Sequence, residues 1–126
     1  MKYLLDTNLI IEAVGGSAPA MNLLEKAVYS EWVGYSAITR LELFGYPGLT
    51  PEEETALTEV CGEMEEVAVA SNIVDRAIQI RRSVRIKTPD AIIAATALEL
   101  NAVLVTRNGD DFKSIAGLHL INPWNL

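Results

Sequence analysis

Acidic side chains in four separate segments have the types and surroundings needed for metal chemistry: Asp6, Glu42, Asp90 and the neighbouring Asp110 and Asp111. Carboxylates brought together without a counter-charge repel and raise each other's pKa values, and a divalent cation removes that repulsion. Oxygen ligands without His or Cys favour Mg²⁺ or Mn²⁺ over zinc. The sequence therefore predicts a magnesium or manganese site, provided that the fold brings the four segments to one place.

Each of these acids also has a purely structural interpretation. Asp6, Thr7 or Asn8 could cap a helix that begins near Leu9. Asp90 lies in the first turn of a predicted helix, where a negative charge favours the helix dipole. Taken one at a time, the structural interpretation is the better one, and only a shared location favours the metal site.

The elements that must position these acids alternate between strands and helices. Strands are predicted over residues 3–5, 32–35, 66–69, 102–105 and 118–121, and helices over 9–14, 17–28, 37–44, 51–62, 71–83 and 88–101, with a short helical turn that starts at Asp110 or Asp111. This order predicts an α/β fold, a three-layer α/β/α sandwich with right-handed crossovers around a central parallel sheet of about five strands. The first strand, which lacks polar alternation, is expected to be the central one. Ligands bind at the carboxyl ends of such strands, where Asp6, Glu42 and either Asp110 or Asp111 would meet.

Length and composition limit the function classes. The 126 residues fit a single domain, 1–126, and the 50% hydrophobic content leaves apolar surface for a subunit contact. The single Cys61 excludes an internal disulfide and indicates a reducing cytoplasm. Without a leader or an apolar run long enough to span a bilayer, the protein is expected to be soluble and cytoplasmic. His119 is expected to be a partly buried strand residue. Because the sequence has only one His and one Cys, it offers few residues for Ser/His/Asp or Cys/His catalysis.

The net charge of −7 argues against a nucleic-acid partner, but the charge is unevenly spread. Glutamates are concentrated between residues 52 and 66, whereas half of the ten basic residues lie between residues 76 and 87. Both groups could be solvated helix faces, and the basic one could equally contact a nucleic-acid backbone. The basic group consists of Arg76, Arg81, Arg82, Arg85 and Lys87.

Four short motifs, in order along the chain, resemble those of PIN-domain ribonucleases, and in particular the VapC-type toxins of toxin–antitoxin pairs. They are Leu5-Asp6-Thr7-Asn8, Thr39-Arg40-Leu41-Glu42-Leu43, the segment from Pro89 to Ala97, and Thr106-Arg107-Asn108 followed by Asp111-Phe112. The terminal Asn122-Pro123-Trp124 also resembles members of that group. The resemblance implies an Mg²⁺- or Mn²⁺-dependent endoribonuclease that forms a homodimer, cuts RNA with metal-activated water and is inhibited by a cognate antitoxin of a type II system.

The resemblance also implies roles for individual residues. Asp6, Glu42 and Asp90 match three metal-binding acids. The fourth acid is Asp111, with Asp110 as the second choice, because Asn108 stands at the alternative position. Supporting hydrogen bonds are expected from Thr7, Asn8, Thr106 and Asn108. Contacts with the RNA backbone are expected from Arg40, Arg81, Arg82, Arg85, Lys87 and Arg107.

Other functions fit the same acids less well. A haloacid-dehalogenase-type phosphotransferase needs a second Asp where Asn8 stands, and a response-regulator receiver needs an acidic pair at the first strand. The alternative from another class is a non-catalytic PIN-like binding or assembly protein in which the acids are structural helix caps.

Overall fold

The computed structural model describes residues 1–125, which form a single five-stranded sheet in which all paired strands are parallel. The strands are β1 (Lys2–Leu5), β2 (Trp32–Ser36), β3 (Glu65–Val67), β4 (Val103–Val105) and β5 (Leu120–Ile121). They lie in the order β3-β2-β1-β4-β5, so β1 is central, as predicted. This confirms the α/β/α class predicted from the alternation of strands and helices.

Six helices connect the strands. They are α1 (Thr7–Val14), α2 (Ala18–Val28), α3 (Ala37–Phe44), α4 (Pro51–Gly62), α5 (Ser71–Ser83) and α6 (Thr88–Leu100), followed by short 3₁₀ turns at Gly109–Asp111 and Pro123–Asn125. None of the helices within residues 1–125 is both long enough and apolar enough to span a lipid bilayer.

The core lies on both faces of the sheet, because successive side chains of β1 point to opposite sides. Tyr3 and Leu5 pack with residues of α1, α2 and α4, whereas Leu4 packs with α5 and α6. The buried side of α6 is rich in alanine, and Ala91 and Ala94 are completely buried. Small side chains allow this helix, which carries Asp90 in its first turn, to lie close to the sheet.

Polar side chains cap the starts of α1, α3 and α4. The carboxylate of Asp6 accepts a hydrogen bond from the backbone N–H of Thr7, and α1 therefore begins at Thr7 rather than near Leu9. The predicted capping box of α4 is present, since Thr50 and Glu53 each accept a hydrogen bond from the other's backbone N–H. Ser17 is the residue directly before α2, at the capping position, but its hydroxyl makes no capping hydrogen bond.

Two predicted strands were too long. The chain turns after Val67, where the N–H of Ala70 bonds to the carbonyl of Ala68, so β3 does not extend to residue 69. At the other edge, the N–H of Leu118 bonds back to Ile115 in the preceding turn, and β5 is only Leu120–Ile121. His119 was predicted to be a partly buried strand residue, and this was wrong: it precedes β5 and is exposed. The short helical turn starts at Gly109 rather than at Asp110 or Asp111.

Candidate active site

Asp6 lies at the carboxyl end of the central strand and is 5% exposed. Its Oδ1 accepts a hydrogen bond from the Thr7 N–H (2.8 Å), and its Oδ2 accepts one from the Thr106 hydroxyl (2.8 Å). Burial raises the pKa of Asp6, and these two hydrogen bonds oppose that effect; the negative charges of Glu42 and Asp111 raise the pKa further. Asp6 is therefore both the cap of α1 and part of an acidic group.

Glu42 accepts a hydrogen bond from Thr7 of α1, and Thr7 in turn contacts Thr39 of α3. The Thr7 hydroxyl donates to Oε1 of Glu42 (2.8 Å) and lies 2.9 Å from the hydroxyl of the fully buried Thr39. A hydroxyl fixed by a buried neighbour restricts the rotamers of an otherwise exposed glutamate. The sequence interpretation missed Thr39, although its place three residues before Glu42 puts both on the same side of α3.

Asp90 shows most clearly that the acids converge. The pKa of Asp90 is raised to about 6, first by burial and then by the negative charges of three carboxylates, in decreasing order Asp6, Asp111 and Glu42. The nearby positive charge of Lys87 only partly offsets these effects. The fold therefore brings acids from four segments into one electrostatic group, here called the acidic crevice: Asp6, Glu42, Asp90 and Asp111.

The loop after β4 distinguishes the candidates for the fourth acid. Asp111 acts electrostatically on both Asp6 and Asp90. The side chain of Asp110 is 93% exposed and lies 3.4 Å from the ammonium group of Lys113. Asn108 is exposed, and its backbone N–H donates to the Thr106 hydroxyl (3.0 Å). Of the three positions, the geometry favours Asp111.

Carboxylate chemistry at the acidic crevice fits a hard cation. Within residues 1–125, however, no three His, Cys, Asp or Glu side chains are arranged as a ready-made cation cage. Mg²⁺ does not need such a cage, because it keeps several waters and is usually held by one or two carboxylates together with substrate phosphates. Burial is the largest cause of the raised pKa values of Asp6 and Asp90, and repulsion from the neighbouring carboxylates, which a cation would relieve, adds to it.

A groove with cationic side chains adjoins the acidic crevice. The groove has a volume of about 910 Å³ and is lined by Arg81, Arg85 and Lys87 together with Asp90 and Asp111. Positive and negative side chains therefore lie side by side in it. Ser114 also lines it. We call this surface the basic groove.

The other basic residues are placed differently. Arg82 lies in a neighbouring hollow rather than in the basic groove. Arg40 forms an ion pair with Glu66 (2.5 Å), and Arg76 forms one with Glu99 (2.8 Å). Arg107 forms an ion pair with Glu12 and lies over the ring of Trp124, as described below. Asn8 is exposed at the first turn of α1.

A second, apolar groove of about 440 Å³ lies between α1, α3 and α4 and reaches Glu42. Its walls include Ile11 and Tyr46, two apolar side chains that are 51% and 65% exposed. Glu53 lies at the α4 side. We call this surface the apolar groove.

Comparisons with known proteins agree with this fold. The model of the PIN domain family matches residues 3–118, so the chain belongs to the PIN-domain family. A toxin–antitoxin complex from Klebsiella pneumoniae contains a chain that is 30% identical, with a TM-score of 0.80; the match covers 96% of this chain and 97% of that one. No curated protein sequence matches.

Two further solved structures are similar over nearly the whole chain. VapBC2 from Rickettsia felis, bound to a DNA fragment from its promoter, matches at 26% identity with a TM-score of 0.85, covering 97% and 98% of the two chains. FitAcB from Neisseria gonorrhoeae matches at 26% identity with a TM-score of 0.79, covering 98% and 99%. Within its family, this chain therefore resembles the VapC-type toxins, as its sequence motifs predicted.

Proposed function

We propose that this protein is a metal-dependent endoribonuclease and the toxin of a type II toxin–antitoxin pair. The observation that carries the proposal is the acidic crevice: four segments of a PIN domain deliver carboxylates to one sheet edge, and the pKa of Asp90 is raised to about 6. The adjoining basic groove supports a substrate with a phosphate backbone.

The residues of the acidic crevice have distinct roles in this mechanism. Asp6 and Asp90 would hold the principal Mg²⁺ or Mn²⁺ ion, and Glu42 and Asp111 would complete the site or orient water. Such an ion would supply an acidified water as nucleophile and would neutralise charge on the phosphate. The Thr106 hydroxyl keeps Asp6 in one rotamer, because it donates to the oxygen that the helix cap leaves free.

The basic groove accounts for RNA binding by an acidic protein. The overall charge of −7 repels a polyanion, so attraction must be local. Arg81, Arg85 and Lys87 lie in the same groove as Asp90, where they can hold the backbone on either side of the cut phosphate. Arg82 and Arg40 would contribute less, since one lies outside this groove and the other is paired with Glu66.

The direct test is RNA cleavage with Mg²⁺, with Mn²⁺ and with EDTA, using the parent protein and an Asp6→Asn variant. We expect cleavage only with metal and only by the parent. Glu59→Gln, which removes an exposed charge from α4, is the matched control and should cut like the parent. Cleavage that persists in EDTA, or in purified Asp6→Asn protein, would contradict the proposed site.

A cognate antitoxin is the proposed protein partner. The apolar groove ends at Glu42, so a partner segment with apolar side chains could continue to the acidic crevice. We expect an Arg or Lys of the antitoxin to reach toward Asp6 and Asp90, because a cation there replaces the charge of the metal. A complex whose interface lies wholly on the opposite edge of the sheet would refute this.

Homodimerisation is also proposed. Val74 and Ile78 lie one helical turn apart on α5 and are 42% and 43% exposed, so they offer apolar surface for a second copy. Light scattering should show a mass of twice 13.7 kDa, and a Val74→Glu variant should shift it toward 13.7 kDa.

The alternative function is a non-catalytic binding protein. The cap that Asp6 provides for α1 favours it, because this carboxylate has a structural task whether or not metal binds. Calorimetry with Mn²⁺ distinguishes the two functions: the nuclease must bind the ion through the acidic crevice, whereas a protein with purely structural acids need not.

A further inference from the structure

The C-terminal segment lies against the loop that carries two parts of the active site. In β4 and β5, Leu104 pairs with Leu120 and Val105 with Ile121, and the N–H of Thr106 then donates to the carbonyl of Ile121 (3.0 Å). The last described residues therefore continue beside the segment from Thr106 to Asp111, here called the β4 loop. Backbone hydrogen bonds therefore connect the C-terminal segment to the start of the β4 loop.

Side chains reinforce this backbone contact. The Arg107 guanidinium lies 4.4 Å from the centroid of the Trp124 ring, and its Nη1 lies 3.3 Å from Oε1 of Glu12 in α1. Asn122 connects the same partners, because its Nδ2 donates to the carbonyl of Arg107 (3.4 Å) and its Oδ1 accepts from the N–H of Trp124 (2.9 Å). Trp124 itself packs against the apolar cluster beneath α1 and α2.

The β4 loop positions the catalytic acids from its other side. The Thr106 hydroxyl donates to Asp6 and accepts from the N–H of Asn108. The N–H of Asp111 in turn donates to the carbonyl of Asn108 (3.0 Å). The two neighbours of Arg107 in the chain therefore contact the acids: Thr106 bonds to Asp6, and Asn108 bonds to Asp111.

The positive charge of Arg107 would suit a contact with RNA, but its side chain is engaged by other residues of the protein. Its guanidinium is shared between a carboxylate and an aromatic face, and stacked arginines of this kind are poorly replaced by lysine. Arg107 does not line the basic groove, whereas Arg81 and Arg85 do.

We propose that Arg107, Trp124 and Asn122 form a clamp that positions the β4 loop, and with it Thr106 and Asp111, for the reaction. Arg107 is thus a positioning residue rather than a phosphate contact. The clamp rests on the proposed function, since it serves that active site. Its effect should appear in kcat, because a displacement of about 1 Å in reacting groups can cost roughly 100-fold in rate.

The test compares Arg107→Ala, Trp124→Ala, the double variant and Trp124→Phe in steady-state RNA cleavage with Mn²⁺. Each alanine variant should lower kcat by about 10- to 100-fold while KM stays within about twofold, and the double variant should be no worse than the singles. Trp124→Phe, which keeps an aromatic face, should restore most of the rate. Arg76→Ala, which breaks a comparable ion pair far from the β4 loop, is the control and should leave kcat unchanged.

Two results would overturn the clamp. If Arg107 contacts a phosphate, Arg107→Ala raises KM and lowers the salt dependence of binding by about one ion, while Trp124→Ala has no effect. If the contact only stabilises the fold, the variants melt lower and kcat does not change.

A measurement without catalysis separates this proposal from the proposed function. Amide hydrogen exchange of the metal-free protein should be faster at Asn108 in Arg107→Ala and in Trp124→Ala than in the parent, and unchanged in Arg76→Ala. A parent protein that cuts no RNA would refute the nuclease, and unchanged exchange at Asn108 would refute the clamp on its own.

Discussion

Negative charge is concentrated in two regions of this molecule, which differ in the burial and in the pKa values of their carboxylates. In the acidic crevice, burial and the other carboxylates raise the pKa of Asp6 and of Asp90. On α4, the glutamates of the first turn are exposed, and the pKa of Glu53 is lowered because its carboxylate accepts the N–H of Thr50. In the acidic crevice the carboxylates repel one another, and a cation can relieve that repulsion. On α4 the glutamates are exposed at a helix start, where negative charge is favourable.

The comparison shows that charge density alone does not identify a metal site. The acidic stretch that is most obvious in the sequence, residues 52–66, is the one with a structural explanation. The crevice acids are spread over more than a hundred residues and converge only because they follow parallel strands or begin a helix at the same edge. Removing charge from the two regions should therefore have different effects.

The largest difference is expected in catalysis. Asp6→Asn and Asp90→Asn should each lower RNA cleavage by roughly 100-fold or more, since each removes a carboxylate that would hold the metal ion beside the reacting phosphate. Glu59→Gln on α4 should leave the rate unchanged. Single-turnover cleavage of a labelled RNA measures this, and equal losses in all three variants would abolish the distinction between the two regions.

The next difference is the response of stability to metal. At a free Mn²⁺ concentration of about 100 times Kd, the parent should gain about 2.7 kcal/mol in free energy of unfolding, because the ion binds only the folded state. Asp90→Asn should gain much less, and Glu59→Gln as much as the parent. Thermal melts in EDTA and in Mn²⁺ test this; an equal gain in all three proteins would place the metal outside the acidic crevice.

The α4 region should show its own effect when its cap is removed. Thr50→Ala should lower the free energy of unfolding by roughly 0.5–2 kcal/mol, because the N–H of Glu53 loses its acceptor. Ser17→Ala is a matched control, since the Ser17 hydroxyl makes no capping hydrogen bond, and it should change stability by less than about 0.5 kcal/mol. Neither variant should alter the gain in stability from Mn²⁺. Urea unfolding with and without the ion provides the measurement.

The smallest expected effect distinguishes the two interpretations of Asp90 by its sign. If the carboxylate only favours the helix dipole, Asp90→Asn should cost roughly 0.3–1 kcal/mol in EDTA. In the acidic crevice, removing the charge relieves repulsion, so the melting temperature should hold or rise.

The pH dependence of the same variant gives an independent test. The folded-state pKa of about 6 lies above the ordinary 3.8, so the folded protein binds the proton more tightly than the unfolded chain. Asp90 therefore destabilises the parent increasingly as the pH rises from about 4 through about 6. The stability of Asp90→Asn relative to the parent should increase over that interval in EDTA, and a relative stability that decreases there would contradict the crevice interpretation.

Much of the fold follows from local patterns in the sequence. The apolar run before Asp6 predicts a strand buried on both faces, and Thr50, Pro51 and Glu53 predict the start of α4. These predictions held because an apolar run, a capping residue and a proline each act on the backbone within a few residues. The strand ends at Val67 and Leu120 were less well predicted, since a short edge strand ends where its partner or the next turn dictates.

The acids of the proposed site were also recognisable in the sequence, because carboxylates beside apolar residues are costly and their order matches a known family. Only the tertiary structure decided what surrounds them. Thr39 contacts Thr7 across 32 residues, Thr106 reaches Asp6 across 100, and Arg107 lies over Trp124 rather than in the basic groove. Such contacts depend on the order of strands in the sheet, and strand order is set by the packing of the whole chain rather than by any segment of it.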